Sequence, residues 1–297
     1  IPFDLDYFNK VTKGGLPTKT LNVALAGTGV GKTLFMCHQA AGALAQNKNV
    51  LYITMEMAEE RIAERIDANL LGISMEDLHM LNKKLFNEKI VKLQNKTTGT
   101  LIIKEYPTAS ASVNHYRALV NELALKRTFK PDIIFVDYIN ICASSRFKPG
   151  ANVNSYTYVK AIAEEMRGLA VELDVPIVTA TQTTRSGFVS SDIGLEDTSE
   201  SFGLPATADF MFALISSEEL ERAGQMLVKQ LKNRYNDPTV NRKFIIGVDR
   251  ARMKLFDIEQ QAQNLIQPEQ EKYVEHNLEK TEESPEEKYK KFQDFKF

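Results

Sequence analysis

An α/β fold with a mainly parallel central sheet flanked by helices is what this sequence predicts, and three observations predict it. Short apolar, β-branched runs such as Ile133-Ile134-Phe135-Val136 and Ile177-Val178-Thr179-Ala180-Thr181 recur along the chain. They lack polar alternation, as strands buried on both faces require. Between them lie longer stretches of helical periodicity, so strand and helix alternate as in βαβ units. The third observation is a glycine-rich turn, Ala26-Gly27-Thr28-Gly29-Val30-Gly31-Lys32-Thr33, set between the apolar run 21–25 and a helix-prone stretch over 34–46.

Each element follows from its local composition. Residues 1–20, with Lys13-Gly14-Gly15-Leu16-Pro17, read as an ordered lead-in that ends in a turn. The first strand is 21–25 and the second 50–54, followed by a helix over 58–71. Ser74 is placed to cap a further helical pattern that runs to about residue 94. A strand over 101–104 precedes an amphipathic helix over 112–127, and Pro131 leads into the buried strand 133–136. A helix over 156–173 and a strand over 177–181 complete the alternating part. Segments 209–215 and 226–231 extend the sheet, Asn236-Asp237-Pro238 turns the chain into 243–248, and 253–256 closes it. From about Glu259 apolar residues thin out and Glu, Lys and Gln dominate, with acidic side chains outnumbering basic ones. Such a segment cannot bury enough surface to fold alone. The expected organisation is a lead-in (1–20), one large α/β domain (21–258) and a flexible charged tail (259–297).

Composition narrows the function. A chain of 297 residues with 43% hydrophobic content can bury a substantial core. Cys37 and Cys142 have no C-x-x-C spacing, and His38, His79, His115 and His276 are scattered, so no metal cluster is indicated. The cysteines read as buried apolar fillers in a reducing compartment. No apolar run reaches bilayer-spanning length and no secretory signal precedes the first strand, so a cytoplasmic protein without a membrane partner is expected. The net charge of −2 excludes a uniformly basic surface, so any positive potential for nucleic acid must be local. The chain starts at Ile1 rather than Met, which suggests that a preceding portion exists.

The glycine-rich turn carries the chemistry. Glycines let the backbone aim its N–H groups at a triphosphate, and the following helix N-terminus adds a favourable dipole. Lys32 is placed to reach the β- and γ-phosphates and the Thr33 hydroxyl to hold Mg²⁺, with Gly27 to Gly31 as the cradle. The consensus has glycine where this chain has Ala26. Nucleoside triphosphate, with Mg²⁺, is the expected ligand. Asp137 directly follows the buried strand 133–136, the position where such ATPases anchor Mg²⁺. Glu56, in Thr54-Met55-Glu56-Met57, falls past the second strand. Two readings fit it: a base that orients or deprotonates the attacking water, or a helix N-terminal carboxylate favoured by the dipole. Gln182 ends the strand 177–181, where an amide can sense the γ-phosphate and pass its loss to the long segment 183–205. Lys232 and Arg234, in Lys232-Asn233-Arg234-Tyr235-Asn236, are either solvated turn cations or groups inserted into a neighbour's phosphate site.

In this order, these segments resemble the DnaB-like replicative helicases, hexameric ring proteins with a RecA-like P-loop motor domain. The similarity runs from about residue 3 to residue 256. It includes Ala26 at the first loop position, Thr54-Met55-Glu56-Met57, Ile134-Phe135-Val136-Asp137-Tyr138, the strand that ends at Gln182, and the Lys232-x-Arg234 turn. The short intervening segments resemble tailed-phage members. The resemblance implies ATP-driven 5′-to-3′ translocation on single-stranded DNA. Lys32 and Thr33 would be phosphate and Mg²⁺ ligands, Asp137 the second Mg²⁺ anchor, Glu56 the catalytic base and Gln182 the coupling residue. Lys232 and Arg234 would act on the next subunit's nucleotide. DNA contacts would come from Arg146, Phe147 and Lys148 and from Arg185, Ser199 and Phe202. Partners implied at family level are a primase, a helicase loader and a single-strand-binding protein, with action in the host-cell cytoplasm. Such proteins usually carry an N-terminal domain and linker helix ahead of the motor. Two alternatives share the ATPase core: a filament-forming RecA-like recombinase, and a nucleotide-dependent loading or switch factor. No Asn-Lys-x-Asp guanine motif occurs.

Overall fold

Alternation of side chains along buried strands organises this molecule. The computed structural model describes residues 1–95, 97–147, 152–183, 194 and 203–259. Nine strands form one sheet: β1 (Leu21–Ala26), β2 (Val50–Thr54), β3 (Leu101–Glu105), β4 (Ile133–Asp137), β5 (Ile177–Gln182), β6 (Phe210–Ile215), β7 (Gln225–Asn233), β8 (Lys243–Asp249) and β9 (Lys254–Asp257). Their spatial order is β3-β2-β4-β5-β1-β6-β7-β8-β9. Pairing is parallel from β3 through β6 and antiparallel from β6 through β9.

The helices cover both faces. In chain order they are α1 (Asp6–Thr12), α2 (Lys32–Ala45), α3 (Glu59–Leu71), α4 (Met75–Met80), α5 (Lys83–Gln94), α6 (Val113–Arg127), α7 (Ser155–Leu173), α8 (Gly203–Thr207) and α9 (Glu218–Arg222). On β1, Leu21, Val23 and Leu25 enter one core with Tyr116, Val120 and Leu123 of α6 and Ile162, Met166 and Leu169 of α7. Ala24 and Ala26 enter the other, with Phe8 of α1, Phe35 and Ala40 of α2, and Ile62 of α3. The period of two thus divides each strand between two cores. Cys37 and Cys142 are buried free thiols, and burial pushes both up to about 12.

Three features differ from the sequence expectation. The lead-in contains α1, locked in by Phe8, whose ring stands 5.4 Å from Phe35, 5.1 Å from Phe212 and 5.2 Å from Phe244. The helical pattern after Ser74 is two helices. Ser74 caps α4 by accepting the Asp77 N–H at 3.0 Å, and Asn82 caps α5 by accepting the Leu85 N–H at 2.9 Å. A good N-cap residue inside a helical pattern offers the chain a second start. The sheet also turns antiparallel after β6, so the ends of β7 lie opposite in sense to those of β1. The expected tail falls, beyond residue 259, outside the described residues. Among the described residues no helix is long and apolar enough to cross a membrane.

Candidate active site

Parallel pairing brings the ends of β1, β2, β4 and β5 to one edge. Thr54 is level with Asp137, and Ala26 with Gln182. In open α/β sheets that carboxyl edge is where ligands bind. The loop after β1 needs glycine at two positions: Gly29 has φ +78° and Gly31 φ +140°. A Cβ on Gly31 would also meet the Met226 methyl carbon at 3.1 Å. Ala26 is different, being the last residue of β1, fully buried and paired in register with Gln182 and Leu214. An alanine fits there without strain, which explains the departure from consensus.

The loop encloses a cleft of about 360 Å³ lined by Gly29, Gly31, Lys32, Thr33, Glu56 and Gln182. Lys32 opens α2 and its Nζ donates to the Gly27 carbonyl at 3.4 Å. Burial pulls the Lys32 ammonium below its usual range, and the charges of Glu56 and Asp137 oppose that. Thr33 Oγ1 donates to Asp137 Oδ2 at 3.1 Å. The Tyr52 hydroxyl, from the middle of β2, donates to the same oxygen at 2.9 Å. Asp137 Oδ1 is buried without a hydrogen-bond partner among the described residues. Burial pushes the Asp137 carboxyl up to about 6 against the hydrogen bond from Tyr52. A hydroxyl and a carboxylate with a spare buried oxygen are hard donors suited to Mg²⁺. Among the described residues no cluster of three His, Cys, Asp or Glu side chains forms a separate metal site.

Glu56 is held by its neighbours. The Met55 N–H donates to the Asp137 carbonyl at 3.0 Å, and Thr54 Oγ1 donates to the Met57 carbonyl at 2.9 Å and accepts the Met57 N–H at 3.1 Å. The exposed Glu56 side chain thereby lines the cleft. It precedes the Ala58 N-cap of α3, whose first-turn acids are Glu59 and Glu60. Gln182 Nε2 donates to the Tyr138 hydroxyl at 3.0 Å, linking the end of β5 to the residue after Asp137.

Lys232 and Arg234 lie elsewhere. Phe210 pairs with Asn233 and the Arg234 N–H donates to the Asp209 carbonyl at 2.9 Å, which puts both cations at the amino edge of the parallel strands. Lys232 Nζ donates to the carbonyls of Pro205 at 2.6 Å and Ala206 at 2.8 Å. Arg234 Nη1 donates to Asp209 Oδ1 at 2.8 Å. Burial raises the Asp209 carboxyl, but hydrogen bonds from Arg167, the Leu21 N–H and Arg234 outweigh it and hold it below the usual range. Arg146 is tied to Glu164 and Glu165 of α7, and the Phe147 ring packs 6.0 Å from Tyr158. Lys148, Arg185, Ser199 and Phe202 lie outside the described residues.

Sequence reasoning missed Tyr52, Arg65 and Arg250. A phenolic hydroxyl in the middle of a fully buried strand demands a partner, and that is the sequence signal for Tyr52. Arg65 of α3 lines the cleft. Arg250, just after β8, donates to the Val30 carbonyl at 3.2 Å and the Gly29 carbonyl at 3.5 Å, bracing the loop from across the sheet.

A glycine-rich loop at the carboxyl edge of a parallel sheet, with Lys32, Thr33 and Asp137 converging, defines a RecA-like P-loop fold. The sequence profile of the DnaB-like helicase C terminal domain matches residues 1–283, and the chain belongs to that family. It is 50% identical over 263 residues to a DnaB-like replicative helicase of Enterobacteria phage T4, an alignment covering 88% of this chain and 55% of that protein. It is 26% identical over 190 residues to the replicative DNA helicase DnaB of Helicobacter pylori (strain ATCC 700392 / 26695), covering 62% and 37%. The chain thus spans about half or less of the length of these curated relatives. A solved DnaB-like replicative helicase, described with its interactions with primase, superposes with a TM-score of 0.71 at 18% identity over 87% of this chain and 62% of that one. At that identity the likeness speaks to the fold alone.

Proposed function

We propose that this chain is the motor domain of a replicative DNA helicase that hydrolyses ATP in clefts shared between copies of a hexameric ring. Coupled to that hydrolysis, it translocates 5′ to 3′ on single-stranded DNA. The observation that carries the reading is the separation of Lys32 from Arg234. β1 joins their two edges over five residue steps of about 3.3 Å each, about 16 Å in all. Arg234 therefore cannot serve the phosphate loop of its own chain, whereas a neighbouring copy can present its loop to that edge. Such an arginine contributes about 10³ to 10⁵ in rate.

Within the cleft the backbone N–H groups of residues 27–33 bind the phosphates and Lys32 neutralises the β- and γ-oxygens. Thr33 and Asp137 would hold Mg²⁺, which supplies charge neutralisation on the phosphates. Glu56 orients the attacking water and accepts its proton. Gln182, bonded to Tyr138, reports the γ-phosphate to the segments that follow β5 and β4. Arg146, Phe147, Lys148, Arg185, Ser199 and Phe202 are the DNA-contacting candidates, although Arg146 must leave Glu164 and Glu165 to reach a phosphate. A primase, a loader and a single-strand-binding protein are the partners this reading expects, in the cytoplasm of the host cell. The test is ATP hydrolysis with and without oligothymidine, together with unwinding of a forked duplex. Stimulation and unwinding are expected; homologous pairing with filaments and no unwinding would favour a recombinase instead.

A further inference from the structure

Asp209 is a buried charge that the cleft does not use. It immediately precedes β6 and is 4% exposed. Every hydrogen-bonding atom it has is engaged at one point of the sheet. Its N–H donates to the Leu21 carbonyl at 2.9 Å, and Oδ2 accepts the Leu21 N–H at 3.0 Å. Its side chain is therefore fixed to the first residue of β1, the strand whose other end carries the phosphate loop. Arg167 of α7 closes a two-point clamp, Nε to Oδ2 at 3.0 Å and Nη2 to Oδ1 at 3.1 Å. Arg234 takes the remaining direction on Oδ1 at 2.8 Å, while Nη2 reaches only the Ala206 carbonyl at 3.4 Å.

Charge decides what this cluster is for. One carboxylate faces two guanidinium groups, so the cluster carries a surplus positive charge. A purely structural ion pair needs one cation, and Arg167 already supplies it in the fork geometry that suits a carboxylate. The surplus is on Arg234, whose side chain is 46% exposed. It opens onto a groove of about 460 Å³ between α7 and α8, lined by Glu164, Arg167, Gly168, Ala206, Thr207 and Arg234, where Glu164 is already paired with Arg146 at 2.5 Å. An exposed arginine at a strand end is otherwise free to sample many rotamers. A fixed anion behind it selects one and leaves the outward N–H groups for a second anion.

We propose that Asp209 is the positioning residue of Arg234, aiming its guanidinium at the polyphosphate of an adjoining copy while Arg167 keeps the carboxylate in place. This rests on the reading that Arg234 acts across subunits. Displacing a catalytic group by about 1 Å costs on the order of 10²-fold in rate, so the aim of Arg234 matters as much as its presence.

The experiment is a double-mutant cycle on the full chain, reading oligothymidine-stimulated ATP hydrolysis for Asp209→Asn, Arg234→Ala and the pair. Asp209→Asn is expected to lower kcat by about 10- to 100-fold. KM for ATP should stay close to wild type, because the chain's own cleft is intact. The double variant should be no slower than Arg234→Ala alone, since a residue that acts only through Arg234 has nothing left to aim. Asp209→Glu keeps the charge and shifts the carboxylate by one methylene. It should melt near the wild-type temperature yet turn over at least about tenfold more slowly. Multiplying losses in the cycle, or wild-type kcat in a folded Asp209→Asn or Asp209→Glu, overturns the proposal. If Arg234→Ala itself keeps wild-type kcat, the trans reading fails; if Arg234→Ala is slow and the Asp209 variants are not, only the positioning role does.

Discussion

Lys32 and Arg234 stand at opposite ends of one strand. Lys32 follows the last residue of β1 through the phosphate loop, while the Arg234 backbone bonds to Asp209, whose carboxylate is fixed to Leu21, the first residue of β1. The sheet is thus a spacer between the glycine-rich loop at one edge and Arg234 at the other. Under the proposed function, a neighbouring copy would bring its loop to the Arg234 edge.

Glu56→Gln separates binding from hydrolysis. The backbone around Glu56 is held by Thr54 and Asp137, so the amide keeps the shape of the cleft. The expected result is a kcat lower by about 10² to 10⁴, with ATP affinity within about threefold of wild type, since Glu56 is outside the phosphate cradle. Parallel nucleotide titration and steady-state kinetics check it. Unchanged kcat would show that another group handles the water.

Two loop substitutions should move in contrasting ways. Gly31→Ala forces a side chain into φ +140° and within 3.1 Å of the Met226 methyl. It should abolish detectable nucleotide binding and destabilise the chain by about 1–3 kcal/mol. Ala26→Gly restores the consensus but adds nothing to the cradle. It should leave nucleotide affinity unchanged and cost about 0.5–1 kcal/mol through the greater backbone freedom glycine loses on folding. Binding isotherms beside thermal melts read both.

The phosphate loop was legible because its glycines answer a local demand, positive φ at Gly29 and Gly31, and a local demand leaves a local pattern. Asp137 stands out in the sequence by its order, directly after a buried apolar run and downstream of Gly31-Lys32-Thr33, and parallel pairing sets it level with Thr54. Glu56 lies two residues ahead of the Ala58 N-cap of α3 and lines the cleft, so both of its sequence readings remain compatible with its position. What the chain conceals is long-range. The switch to antiparallel pairing after β6 decides that Lys232 and Arg234 reach the far edge, and no window of residues contains that fact. Asp209 meets Arg167 across 42 positions and Arg234 across 25, so neither pairing has a motif. Arg250 braces Val30 from a distance of 220 positions.

His38 ties the stability of the fold to pH. It lies in α2, and its Nδ1 accepts Asn69 Nδ2–H at 3.1 Å and the Leu255 N–H at 3.4 Å, which leaves its proton on Nε2. Burial, then the charge of Lys254, pulls the imidazole down to about 4. The unfolded chain therefore binds more protons than the folded one between about pH 4 and pH 6.5. Stability is complete above that window and falls as pH is lowered through it, by on the order of 3 kcal/mol. Urea unfolding at pH 7 and pH 4.5 should show a larger loss for wild type than for His38→Gln. Equal losses would mean that the imidazole does not control the transition.

The claim that two copies share one site is tested most directly by mixing variants that fail for different reasons. Arg234→Ala retains a complete phosphate cleft, and Asp137→Asn retains a complete donor edge. Each alone should hydrolyse ATP at a small fraction of the wild-type rate in the presence of oligothymidine. Mixed under conditions where subunits exchange, they should recover activity that passes through a maximum near equal proportions, because some interfaces then pair an intact cleft with an intact Arg234. Activity that never exceeds the weighted average of the two, in oligomers shown to be mixed, would contradict the account.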